Sequence, residues 1–127
     1  MIFTYLWVAV GGALGSMARF WMADAVSALT GPSFPWGTLA INVIGSFVIG
    51  LFFALTGPGG RFVVASDARI FVMVGLCGGF TTFSSFSLQT LMLLQSGQVL
   101  RAGSYILGSV TLCLIFVWLG SLLAFAR

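Results

Sequence analysis

Charge is nearly absent from this chain, and where it falls is the strongest constraint on the fold. The charged residues are Arg19, Arg61, Arg69, Arg101, Arg127, Asp24 and Asp67, with no Lys, Glu or His. Four long stretches therefore run uncharged: 1–18, 25–60, 70–100 and 102–126. A membrane-spanning helix needs about 20 predominantly apolar residues, and each stretch can supply one. Soluble domains carry about 25% charged residues; here 6% of 127 residues are charged and 60% are hydrophobic. The chain cannot cover itself for water. It reads as one all-α integral membrane domain over 1–127.

Loop signals trim the stretches into spans. Thr30-Gly31-Pro32-Ser33-Phe34-Pro35 and Thr56-Gly57-Pro58-Gly59-Gly60 are turn-rich, and Gly and Pro are the strongest local breakers. Gln95-Ser96-Gly97-Gln98 closes the third span. Four helices are expected, over about 3–23, 37–56, 70–94 and 103–125. The first lacks the basic leader of a signal peptide and is followed by Arg19, so it is kept as a helix.

The same composition removes functions. Without His or Glu, zinc sites and most acid–base pairs have no members, and no nucleophile–base pair is visible, so an enzyme is not expected. Cys77 and Cys113 sit in apolar stretches and read as small core residues. A net charge of +3 comes from arginines scattered along the chain, not from a basic patch, so nucleic acid is no partner. With four spans, Arg61, Arg69 and Arg127 fall on one side and Arg19 and Arg101 on the other. So small a bias barely orients a membrane protein. Dual topology and an antiparallel homodimer are expected, the alternative being a single orientation decided by one Arg.

Small residues recur four apart at Gly11 and Gly15, Ser46 and Gly50, and Gly75 and Gly79. Such pairs let helices approach closely in lipid and are read here as supporting oligomerisation. The third span is more unusual. Gly75, Gly78 and Gly79 are followed by Thr81, Thr82, Ser84, Ser85, Ser87 and Thr90, a poor recipe for a lipid-facing helix. One reading is a helix broken at mid-membrane, whose freed carbonyls can hold a hard cation. The other is a flexible glycine packing point with back-bonded hydroxyls.

Phe80, Phe83 and Phe86 recur every third residue and are expected on one helix face. They interleave with Thr81, Ser84 and Ser87. Ring edges are positive, so edges and hydroxyls together can meet a small anion without a fixed charge. Asn42, with Thr38 one turn earlier, offers amide donors inside the second span. Tyr105 and Ser109, four apart, share a face of the fourth. Arg19 either snorkels, binds loop carbonyls or draws anions to a vestibule.

Together these residues resemble the Fluc (CrcB) fluoride channels. The resemblance rests on Gly11-Gly12-Ala13-Leu14-Gly15 with Arg19, Gly37-Thr38-Leu39 with Asn42, Gly75-Leu76-Cys77-Gly78-Gly79 through Thr82-Phe83-Ser84-Ser85-Phe86-Ser87, and Tyr105 with Ser109. It implies a dual-topology homodimer in a bacterial plasma membrane, with two antiparallel pores that passively export fluoride. It also implies a central structural sodium ion, not transported, on the backbone carbonyls of Gly78 and Thr81 from both subunits. Phe83 and Phe86 would line the pore and Asn42 would turn fluoride between sites. Tyr105, Ser109, Ser84 and Ser87 would line its track. One departure stands out: many relatives carry Glu where this chain has Gln89.

Two rivals remain as expectations. A small multidrug-type proton exchanger needs a membrane-embedded carboxylate, which this chain lacks. A noncatalytic assembly subunit would lose partner binding, not flux, when Asn42 is replaced.

Overall fold

The computed structural model describes residues 1–125, and Arg127 of the orientation argument lies outside them. The described residues form helices and no strands: α1 (Ile2–Thr30), α2 (Trp36–Thr56), α3 (Ser66–Ile70), a π-helical segment (Phe71–Cys77), α4 (Gly78–Phe80), α5 (Phe83–Gln95) and α6 (Val99–Leu123). Three helical stretches are long and apolar enough to cross a membrane: Trp36–Thr56, Ser66–Gln95 and Val99–Leu123. At 29 residues α1 has the length, but Gly11, Gly12, Gly15, Ser16, Arg19 and Asp24 dilute its apolar run. Large apolar side chains such as Phe3, Trp21, Leu107 and Leu114 lie exposed, as suits a lipid solvent.

Boundaries follow local chemistry. α1 runs past the expected residue 23 because nothing in 24–30 breaks a helix. It stops where Gly31 adopts φ 77° and its N–H donates to the Ser27 carbonyl at 2.9 Å. Only glycine takes that backbone cheaply. The α2–α3 loop folds back through Phe62 N–H to the Leu55 carbonyl, 3.0 Å. Arg69 clamps the end of α2, donating to the Thr56 carbonyl and, at 2.8 Å, to its hydroxyl. Across the opposite loops Arg101 donates to the Ser33 carbonyl at 3.2 Å and to Gln98 Oε1 at 2.7 Å. Both guanidinium groups therefore tie helix ends to loops.

The paired small residues give the close helix packing expected of such spacing, between helices of the one chain. Gly11 lies on Gly75, where a Cβ would come within 3.0 Å of the facing Cα, and Gly79 lies 2.5 Å from the Gly12 carbonyl on the same measure. The two motifs thus pack α1 against the π-helical segment and α4 of the same chain. Gly50 sits beneath the Val117 carbonyl and Gly120 beneath that of Phe47, which closes α2 onto α6. Ser46 stays half-buried, while its neighbour Gly45 receives the Thr81 methyl. These glycines serve contact within the chain, because backbone-to-backbone approach is what small residues permit in either setting. The apolar core between α5 and α6 gathers Phe86, Leu93, Ala102 and Tyr105, with Phe34 and Leu39 against it.

Candidate functional site

Between α4 and α5 the helix is interrupted. Thr81 (φ −80°, ψ 157°) and Thr82 (φ −152°, ψ 112°) are extended. Extended backbone inside apolar surroundings must find partners for its polar groups, and Asn42 of α2 provides them. Its Nδ2 donates to the Thr82 carbonyl at 3.0 Å, and the Thr82 N–H donates to its Oδ1 at 2.8 Å. The side-chain amide pairs with Thr82 as a neighbouring strand would. Thr82 then caps α5: its Oγ1 accepts from the Ser85 N–H at 3.1 Å and lies 3.3 Å from Ser84 Oγ and 3.0 Å from Ser85 Oγ.

This arrangement leaves two carbonyls without their usual donors. In an α-helix each carbonyl accepts from the N–H four residues later. For Gly78 that donor is Thr82, which bonds Asn42 instead; for Thr81 it is Ser85, which bonds the Thr82 hydroxyl. The Thr81 hydroxyl and N–H both donate to the Cys77 carbonyl, at 2.8 and 2.9 Å. Gly78 is exposed and Thr81 half-buried. Neutral carbonyl oxygens suit hard cations. Among the described residues no cluster of three or more His, Cys, Asp or Glu offers another metal set.

A groove of about 410 Å³ crosses the interruption, walled by Asn42, Gly78, Thr81, Thr82, Phe83 and Ser109, with Cys77 and Cys113 beside them. Both cysteines are free. Ser109 is 6% exposed and its hydroxyl has no hydrogen-bond partner among the described residues. Phe83 is 77% exposed, whereas Phe86 is buried, and their rings are 5.4 Å apart. Beyond Phe86 lies Tyr105, fully buried, with ring centroids 5.0 Å apart. Its hydroxyl donates to Gln89 Oε1 at 2.7 Å. Gln89 in turn lines a second cavity of about 430 Å³ together with Ser33, Ser96, Gln98 and Arg101.

The structure thus gathers Asn42, Gly78, Thr81, Phe83 and Ser109 at one groove and strings Phe86, Tyr105 and Gln89 beyond it. Thr38 is buried one turn before Asn42. Ser84 and Ser87 are exposed, Ser87 donating to the Phe83 carbonyl at 2.9 Å. Arg19 stays half-buried on α1 and lines neither cavity. One expectation fails. Phe80 does not share a face with Phe83 and Phe86: it ends α4 and lines a separate cavity with Gly15, Ala18 and Ile44. Every-third spacing projects to one side only along an unbroken helix, and the extended threonines reset the rotation. The sequence assigns Thr82, Ser85 and Arg101 no individual role at the site. Thr82 and Ser85 carried a readable sign, a hydroxyl three residues before a helical N–H, which is the N-cap spacing.

An interrupted helix whose hydroxyls and amide line a groove in an otherwise apolar bundle defines a multi-pass membrane protein built around a polar site. The family model described as "CrcB-like protein, Camphor Resistance (CrcB)" matches residues 6–121, and the chain belongs to that family. It is 61% identical over 122 residues to a fluoride-specific ion channel of Methylocella silvestris, covering 96% of this chain and 93% of that protein. It is 60% identical over 117 residues to a protein of the same name in Rhodospirillum rubrum (92% and 91% covered). A third, in Opitutus terrae, is 57% identical over 120 residues (94% and 91%). The family is one of ion channels, not enzymes.

Proposed function

We propose that this chain is the subunit of a passive fluoride-selective channel that exports fluoride across the bacterial plasma membrane. α1 serves as a fourth span beside the three apolar ones. Two copies pair antiparallel, as the near-balanced arginines favour, and each dimer carries two pores. The observation that carries this reading is the buried Ser109 hydroxyl, without a hydrogen-bond partner among the described residues, in the groove beside Asn42 and Phe83, in a chain whose relatives are named fluoride-specific channels. A buried donor without a partner is costly, and a small anion passing along the groove relieves that cost.

Fluoride is small and strongly hydrated, so a pore must replace its water with donors, as cation filters do with carbonyls. In the groove these are the Ser109 hydroxyl and the second N–H of Asn42; Thr38, Ser84, Ser87 and Tyr105 extend the polar wall. The edges of Phe83 and Phe86 add weak positive potential and their bulk narrows the way to larger halides. Gln89 accepts from Tyr105 and still has amide N–H groups to offer, so conduction needs no carboxylate there. The carbonyls of Gly78 and Thr81 fit a structural sodium ion, which when bound supplies a fixed positive charge. Arg19 lies off the groove and acts through long-range attraction of anions.

Anion efflux from liposomes containing the purified protein tests the reading, with fluoride- and chloride-selective electrodes as readout. Fast fluoride loss with chloride retained is the expected result. Equal loss of both sinks the donor-and-ring filter, and no loss of either from a folded dimer favours the assembly-subunit alternative.

A further inference from the structure

Asn42 is expected to act on the anion, and the contacts its side chain makes are to the backbone of Thr82. Both ends of its amide are engaged by the Thr82 backbone. What that pairing achieves is read from the donors it diverts. Were the helix continuous through 81–82, the Thr82 N–H would close onto the Gly78 carbonyl and the Ser85 N–H onto the Thr81 carbonyl; with the backbone extended there, the Asn42 amide and the Thr82 hydroxyl take those two donors instead. Each diversion thus frees one of the two oxygens that fit a cation.

We infer that Asn42 and Thr82 are positioning residues of the cation site: their side chains take the two N–H groups that would otherwise close helical hydrogen bonds onto the Gly78 and Thr81 carbonyls. The inference rests on the reading of those carbonyls as the sodium site. Three further features hold the arrangement. The Thr81 hydroxyl is spent on the Cys77 carbonyl, so Thr81 faces a cation with its backbone oxygen. That bond turns the Thr81 methyl into the space left by Gly45 on α2, next to Asn42 in the same helix. Thr82 is buried, and its β-branched side chain favours the extended backbone it adopts. α2 therefore grips both extended residues, and through them ties the polar wall of the groove to the cation carbonyls.

The test is a sodium titration of purified protein in detergent, with N-methylglucamine chloride keeping ionic strength constant and the thermal unfolding midpoint as readout. Wild type is expected to gain stability with sodium along a saturable curve. Asn42→Ala and Thr82→Val should each move the half-saturating sodium concentration up by about fivefold, the factor expected when a carbonyl must give up an ordinary hydrogen bond of about 1 kcal/mol to reach the ion. Thr82→Ser keeps the hydroxyl and should restore the wild-type midpoint to within about threefold. Tyr105→Phe, which alters the anion track and not the interruption, should leave the sodium curve in place. Wild-type sodium midpoints in both Asn42→Ala and Thr82→Val, with fluoride flux lost, overturn the inference and return Asn42 to a purely anion-facing role. Should Asn42→Ala not fold, the Val and Ser pair at position 82 decides alone. Absence of any sodium response in wild type removes the cation site and the inference with it, while liposome flux reports separately on the channel.

Discussion

Replacing Gly15 by Ala puts a methyl where α1 meets the end of α4. A Cβ there would strike the Leu76 carbonyl oxygen and lie 2.8 Å from the Phe80 nitrogen and 3.1 Å from the Gly79 carbonyl carbon. All three neighbours are backbone, so no side chain can swing aside and the helices must part. Gly12, one turn earlier on the same helix, has nothing within 4 Å of the same added atom. Alanine gains about 0.5–1 kcal/mol over glycine in a helix interior, and this gain is common to Gly12→Ala and Gly15→Ala. Their difference therefore isolates the clash, and overpacking of this kind costs about 1–3 kcal/mol. That corresponds to roughly a 5- to 150-fold change in the folded-to-unfolded ratio. The assay is unfolding in mixed micelles of rising denaturing-detergent fraction, followed by tryptophan fluorescence, with fluoride efflux measured alongside. Gly12→Ala should match or exceed wild type in stability. Gly15→Ala should fall below it, and should also lose flux because Phe80 leads directly into the extended threonines. Equal midpoints for the two variants would refute the packing argument.

The two phenylalanines should separate by burial. Phe86→Ile, in the core with Leu93 and Tyr105, is expected to cost about 1 kcal/mol or more of stability, whereas Phe83→Ile at a largely exposed ring should stay within about 0.5 kcal/mol of wild type. Fluoride flux should fall in both, and unchanged flux in both removes the rings from the pore. Tyr105→Phe leaves the Gln89 carbonyl without its 2.7 Å donor and should cost about 1 kcal/mol. In a double-mutant cycle with Gln89→Leu the losses should be less than additive; strict additivity means that the hydrogen bond contributes nothing.

How much was legible beforehand differs from residue to residue. The expected second span, 37–56, differs from α2 by one residue, because Pro35 and Gly57 bracket an uninterrupted apolar run. The polar stretch after Gly78-Gly79 offered a break or a packing point, and the structure contains both features: extended threonines at 81–82, and Gly75 and Gly79 pressed on α1. Tyr105 reads from its spacing as sharing a face with Ser109, and the structure makes it the most buried aromatic ring of the described residues. Its surroundings come from Phe34 in a loop, Phe86 on α5 and Gln89 a turn later, none of which its own sequence neighbourhood shows.

Composition by itself determined the solvent. With so few charges spaced so far apart, only helices that satisfy their own backbone can be built in lipid, and the Gly and Pro clusters mark where they end. Residue types and spacing further placed amide, hydroxyl and ring groups in three particular spans. Only the tertiary structure decided what those groups touch. Asn42 and Thr82 are forty residues apart, and their pairing depends on α2 lying against the interruption, a distance no periodicity carries. It is the same packing that splits Phe80 from Phe83 and Phe86, for two extended residues rotate everything after them out of the register that the sequence displays.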